Sequence, residues 1–183
     1  MSASDKPGKA ERFVLSTIER CQQNKGLSAR LRRADNPATE DQSWEFLIAF
    51  GIDLEKKYER LPFATIACAI ARAKAERNGS LPLGRALANC CENGSDGDSP
   101  GKARLRRLLA CDSLDELCRI LRPLLSLILS KSPHSLNYVL LLEQLQRFAY
   151  GADSARRVKA EWAQSFYRKA HISDEQDANQ EGK

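Results

Sequence analysis

Apolar residues recur at helical spacing along most of the chain, and the stretch from Leu81 to Leu125 carries the clearest pattern. Leu105, Leu108 and Leu109 stand at i, i+3 and i+4 and share one helix face, while Lys102, Arg104, Arg106 and Arg107 cover the remaining circumference. Cys111-Asp112 interrupts the pattern. Ser113 to Glu116 then has the S-x-x-E form of a capping box, which predicts a second amphipathic helix with Leu114, Leu117, Cys118, Leu121, Leu124 and Leu125 as its buried stripe. Arg119 and Arg122 stand off that stripe, and Pro123 is expected to kink the helix or end it one residue earlier.

Upstream, the pattern predicts a helix from about Ala10 to Gln23 with Phe13, Val14, Thr17 and Ile18 inward, ended by Asn24-Lys25-Gly26. Ser28 to Pro37 holds three arginines, and its Asn-Pro and lack of a clear period predict a loop. Thr39-Glu40-Asp41-Gln42 reads as another capping box, opening a helix through Trp44, Phe46, Leu47, Ile48 and Phe50 to Gly51. That apolar block reads as core rather than as a stacking platform for bases. Pro62 suits the first turn of an alanine-rich helix reaching about Arg77, with Phe63, Ile66, Ala67 and Ile70 buried and Asn78-Gly79 as its stop. Leu83 to Ala88 predicts a short helix. Gly84 inside it is unfavourable by about 1 kcal/mol relative to alanine, which implies a close backbone approach.

Glu92 to Pro100, ENGSDGDSP, predicts a loop. Beyond the central helix pair, Ser135 to about Tyr150 carries Leu136, Val139, Leu140, Leu142 and Leu145 nearly all round. A last helix from Asp153 to about Lys169 turns Ala155, Val158, Trp162, Ser165 and Phe166 inward. No stretch alternates as a strand does. The expectation is an all-α fold of about eight helices in two packed helical bundles, residues 1–92 and 101–172, joined by a linker at 93–100 and followed by a disordered acidic tail at 173–183.

With 183 residues, 42% hydrophobic and 29% charged, the chain is long enough to bury a core. No apolar run approaches the ~20 residues of a membrane span, and MSASDKPGKAER lacks the apolar centre of a signal peptide, so the expected location is the cytoplasm. Six cysteines form no C-x-x-C pair and only two histidines are present, which argues for small buried thiols rather than a metal or disulfide set. His134 and His171 read as surface residues. P-loop, G-x-G-x-x-G, H-E-x-x-H and G-x-S-x-G signatures are all missing, and the carboxylates are scattered, so no catalytic residue and no cofactor are expected.

The formal net charge is +5, and part of the acid lies in the tail, so the remainder is more basic than the total implies. Lys102 to Arg107 places four cations in six positions with no acid among them. Such a surface points to a polyanion held on helices; the ordinary alternative is that Lys and Arg merely solubilise them. The Arg32-Arg33 segment reads equally as a phosphate clamp or a solvated connector. Arg156, Arg157 and Lys159, near the start of the last helix, form a further candidate patch.

Gly79 to Asn89, GSLPLGRALAN, followed by Ala103-Arg104-Leu105, Leu109-Ala110-Cys111-Asp112 and Leu121-Arg122-Pro123-Leu124-Leu125, resembles the small subunit of type I-E Cascade, the CasB family. Ala29-Arg30-Leu31-Arg32-Arg33 and Phe50-Gly51 extend the resemblance to about half the chain. It implies a non-catalytic helical protein that sits as a pair in a CRISPR RNA-guided surveillance complex. Its partners there are the backbone and large subunits, a second copy of itself, the crRNA and the target DNA. It also implies that arginines neutralise phosphate along the target and displaced strands of the R-loop without reading bases. Carried onto this sequence, the nucleic-acid-binding residues are Arg32, Arg33, Arg85, Lys102, Arg104, Arg107, Arg119 and Arg122, with Arg156, Arg157 and Lys159 added from the last helix. The alternatives are a helical protein adaptor without nucleic-acid contact and a sequence-specific DNA reader, against which stands the lack of a helix-turn-helix pattern.

Overall fold

A helix opens the chain because Phe13, Val14, Thr17 and Ile18 form one apolar face, and α1 runs Lys9–Gln23 with those four buried. The computed structural model describes residues 7–91, 99–132 and 136–178, with side chains as far as Arg168. Asn24 ends α1, its backbone N–H donating to the Arg20 carbonyl, and at the same time starts α2, Lys25–Arg33, its side chain accepting from the Leu27 N–H. The arginine segment read as a loop is therefore helical up to Arg33. Leu27, Leu31 and Ala34, spaced at i, i+4 and i+7, are buried and anchor it, and arginine is a good helix former.

The expected Thr39 capping box does not form. Asn36 accepts from the Ala38 N–H, Thr39 has non-helical dihedrals, and its hydroxyl donates to the Arg33 carbonyl, so Pro37–Ser43 is a 3-10 segment. Only six residues, Trp44–Ala49, make the α3 helix; Phe46 and Leu47 are buried, but Trp44 and Ile48 point outward at 40% and 59% exposure, which corrects the all-core reading of that block. Gly51 closes it with φ +67°.

Helix α4, Lys57–Ala73, begins five residues before Pro62 and is buried continuously from Leu61 to Ala71. Pro62 thus sits inside the helix rather than at its start, held there by packing on every side. The helix stops at Lys74 in the left-handed region, ahead of Asn78-Gly79. Asn78 serves a different element, since its side-chain oxygen accepts from the N–H groups of Tyr138 and Val139, at the start of α8, Tyr138–Phe148. Beside it, Leu81 and Leu136 form a single parallel bridge, closed by Asn137 N–H to the Leu81 carbonyl and Gly79 N–H to the Leu136 carbonyl, both 2.9 Å.

Next come α5, Leu83–Cys90, and α6, Pro100–Leu109, N-capped by Ser99. Pro100 is therefore the first residue of a helix, where its missing N–H does no harm, rather than the end of a loop. The linker expected at 93–100 otherwise lies outside the described residues, save Ser99. Ser113 caps α7, Leu114–Lys131, as the S-x-x-E motif predicts, although Glu116 reaches back to the Asp112 N–H. Pro123 does not end α7. It lies on the exposed side, while Leu121, Leu124, Leu125, Ile128 and Leu129 are buried on the other, so packing outweighs one lost backbone bond.

Helix α8 starts later than expected because Asn137 caps it; Ser135 and His134 lie outside the described residues. Helix α9, Ala152–Ala178, continues nine residues past Lys169 into the stretch read as a tail, and residues 179–183 are outside the described part. The described residues hold nine α-helices and no strand, in line with the all-α expectation. One buried cluster extends from Ala10 on α1 to Phe166 on α9; α4 packs on α2, α7 and α8, and α5 lies along α9.

Gly84 is accounted for by that last contact. A Cβ there would stand 2.1 Å from the Trp162 carbonyl oxygen, 2.3 Å from Ser165 Oγ and 2.8 Å from the Phe166 nitrogen. Only glycine lets the α5 and α9 backbones approach so closely. Trp162 is held in turn by a chain in which its indole N–H donates to Gln144 Oε1, Gln144 donates to Glu161, and Arg147 makes two bonds of 2.6 and 2.7 Å to the same carboxylate.

Candidate nucleic-acid interface

Ion pairing sorts the cations of this surface into those engaged with carboxylates and those left to solvent. Lys9, Arg30, Lys57, Arg60, Arg72 and Arg147 each pair with an acid. Of the residues expected to bind nucleic acid, Arg122, Arg156 and Lys159 are paired as well. Arg122 turns inward, 13% exposed, with Nε 3.6 Å from Asp35, which also binds Arg72. Arg156 pairs loosely with Asp153 one turn earlier, both largely exposed, a contact worth little in water. Lys159 lies 3.5 Å from Asp112 and over the Phe148 ring.

Arg32, Arg33, Arg85, Lys102, Arg104, Arg107, Arg119 and Arg157 form no ion pair with a described residue, and all but Arg85 and Lys102 are exposed. Two of them converge. Leu105 and Leu108 bury one face of α6 against α7, so Arg104 and Arg107 overhang an open depression of about 360 Å3 whose other wall is Ile120, Pro123, Leu124 and Leu127 of α7. Arg119 is one turn before Pro123 on the same ridge of α7. Arg104 also borders a second depression, shared with Cys90, Cys91 and Lys131, and donates to Cys91 Sγ at 3.5 Å.

Arg32 is elsewhere, in a pocket between α1, α2 and the end of α4, and Arg85 stands on α5, the helix that lies along α9. The expected residues are thus spread over several faces, with the densest group on α6 and α7.

Sequence reasoning missed Lys131. Arg119, Pro123, Leu127 and Lys131 recur every four residues and so form one ridge of α7; the expectation that Pro123 kinks or ends the helix hid that continuity. Lys131 Nζ donates to the Cys90 carbonyl at 2.9 Å, satisfying an end-of-helix acceptor of α5 and fixing an ammonium beside Arg104.

Two of the thiols lie deep in the core. Burial pushes Cys68 up to about 12 and Cys118 up to about 11. Among the described residues no cluster of His, Cys, Asp and Glu is placed to hold a metal ion, and no helix is long and apolar enough to cross a membrane.

No curated protein matches the chain in sequence. Solved structures do match in fold. A chain of a CRISPR RNA-guided surveillance complex superposes with TM-score 0.70 at 21% identity, covering 92% of this chain and 96% of that one. CasB of M. ruber gives TM-score 0.67 at 20% identity over 92% and 98%, and CasB of Thermobifida fusca 0.63 at 20% over 88% and 99%. The family model of CRISPR-associated protein Cse2 matches residues 28–167, which takes in the arginines of α2, the α5–α9 contact at Gly84 and the α6–α7 basic face, and so the chain belongs to the Cse2 family.

Proposed function

We propose that this protein is a non-catalytic small subunit of a CRISPR RNA-guided surveillance complex in the cytoplasm, and that it holds nucleic-acid backbone on the α6–α7 face. The observation that carries this reading is the convergence of Arg104 and Arg107, neither of them in an ion pair with a described residue, on one open depression, with Arg119 exposed one helical turn before the Pro123 that walls it. Unpaired guanidiniums on rigid helices suit phosphate oxygens, and the absence of carboxylates from the described lining of the depression keeps the local potential positive. In this role base pairing reads sequence, and the protein steadies the target and displaced strands of an R-loop whose formation is nearly balanced in free energy. Membership of the Cse2 family, and the fold shared with a chain of a surveillance complex, support the assembly and its partners: backbone and large subunits, a second copy, crRNA and target DNA.

The test is binding of the protein to a non-specific fluorescent single strand across a salt series. Removing two phosphate contacts by Arg104→Ala with Arg107→Ala lowers the log–log salt slope by about 1.4 for a single strand. A folded double variant with the wild-type slope, or no binding at low salt, overturns the assignment.

A protein-adaptor reading is favoured by Trp44 and Ile48, exposed one turn apart on α3. An interface of that kind shows little salt dependence, so the same titration separates the two.

A further inference from the structure

A second cationic site lies where α1 ends, α2 begins and α4 stops. The pocket there has a volume of about 350 Å3 and is lined by Lys25, Arg32 and Lys74, with Cys21, Gln22, Ser28 and Ala75 completing the lining. No carboxylate among the described residues lines it, and none of the three cations forms an ion pair with a described residue. Lys25, Ser28 and Arg32 stand at i, i+3 and i+7 on one ridge of α2, so their side chains rise together over the pocket. Gln22 ties the opposite wall: its Nε2 donates to the carbonyl of Glu76 at 3.1 Å, fixing the end of α1 against the chain just beyond Lys74. Cys21 lines the pocket together with Ser28 and Arg32, and its thiol is pushed up by burial and drawn back by a hydrogen bond from Ser28 and by the charge of Arg32.

Lys74 is the unusual member. It has φ 50° and ψ 45°, and among the described residues it is the only non-glycine with positive φ. A helix that ends in a left-handed residue ordinarily has glycine there, because any side chain strains the backbone. Here the strained position carries an ammonium, and it carries it into a pocket that already holds two cations.

We propose that this pocket binds a phosphomonoester group. Three cations without an acid exceed what a singly charged backbone phosphodiester needs, whereas a monoester is close to a dianion at neutral pH. The Arg32 fork can take two of its oxygens, and Lys25 and Lys74 neutralise the rest as point charges. None of these residues borders the α6–α7 depression, so the inference stands apart from the function proposed above.

The experiment is thermal unfolding of the whole chain in inorganic phosphate against chloride of equal ionic strength, for wild type, Lys74→Gly, Lys25→Gln and Arg12→Gln. Phosphate at about ten times its Kd raises the wild-type Tm by roughly 3–6 °C. Lys74→Gly relieves the left-handed strain, so in chloride its Tm equals or exceeds that of wild type, yet it loses most of the phosphate response; Lys25→Gln loses it too. Arg12→Gln, which removes one charge from α1 outside the pocket, keeps it. A full phosphate response in Lys74→Gly, or an equal loss in Arg12→Gln, makes the effect one of general salt or net charge and overturns the proposal. A 5′-phosphorylated oligonucleotide that outcompetes its unphosphorylated twin on wild type but not on Lys74→Gly assigns the group to a strand end. A response to inorganic phosphate and equally to glycerol phosphate, without preference for the phosphorylated strand, assigns it to a small free phosphomonoester, and a response to inorganic phosphate alone overturns the monoester.

Discussion

Gly84→Ala separates helix propensity from packing in a single methyl group. In an isolated helix the change stabilises by about 1 kcal/mol. In this protein the added Cβ falls 2.1 Å from the Trp162 carbonyl oxygen and 2.8 Å from the Phe166 nitrogen, both backbone atoms of α9, as well as 2.3 Å from Ser165 Oγ. Rotating Ser165 removes only the last of these. The helices must part by about an ångström, and that loosens Leu83, Leu87, Trp162 and Phe166, all buried between them. Overpacking of this kind costs about 3 kcal/mol, so the net loss is about 2 kcal/mol after the propensity gain, or a fall in Tm of about 4–8 °C for a chain of this length. The assay is thermal and urea unfolding followed by circular dichroism, with Gly101→Ala alongside. At Gly101 the one contact under 3 Å is Cys91 Cβ at 2.9 Å, which moves only with its backbone, and ring carbons of Phe166 follow at 3.3 and 3.4 Å, so a shift of a few tenths of an ångström suffices and the loss is smaller, about 1 kcal/mol. A Gly84→Ala protein as stable as wild type refutes the close approach.

Three further outcomes are expected. Glu161 is held below the ordinary carboxyl value of 4.5 by hydrogen bonds from Arg147, with Gln144 adding to them, so its contribution to stability is full above that value and is lost as pH falls through the lower folded one. Glu161→Gln therefore flattens the acid limb of stability against pH, and an unchanged limb refutes the pairing. Asp35→Asn leaves the largely buried Arg122 without its counter-charge and destabilises by about 2–3 kcal/mol in urea unfolding, while Arg122→Met is milder; equal losses refute the account. Cys68 and Cys118, buried and pushed up to about 12 and about 11, stay unlabelled by a thiol reagent in the native protein, while Cys21 and Cys91, each part-exposed, react first; prompt labelling of Cys118 refutes its burial.

The elements with a single strong period were legible in the sequence. α1, α6 and the start of α7 form where apolar spacing and capping signals predict, because in each the local preference and the tertiary packing agree. Gly84 was legible for the same reason in reverse: a residue that weakens a helix is retained where two backbones meet. The misreadings occur where packing overrides a local breaker. Pro62 and Pro123 read as boundaries, yet both lie within helices whose buried faces continue on either side. Asn24 does end α1 as read, but it also caps α2, and Asn78, read as the stop of α4, instead receives the first N–H groups of α8 across a separation of 60 residues, a contact that no local pattern contains.

The same logic accounts for what the sequence showed of the basic surface. A cluster of cations close together in sequence, Lys102 to Arg107, is visible in one dimension, and three of its four members are exposed on α6. What the sequence does not contain is which carboxylate each arginine meets. Arg119 and Arg122 are three positions apart on one helix, only about 60° apart around its axis, and look alike in the sequence, yet Arg119 is exposed on the ridge of Pro123, whereas Arg122 turns in to Asp35, far earlier in the chain. The pocket of Lys25, Arg32 and Lys74 was hidden in the same way, since two of its cations lie on α2 and the third arrives only because α4 stops at a left-handed residue. Charge counting along a sequence therefore finds where cations are dense, and only the partners brought by the fold decide which of them remain free for phosphate.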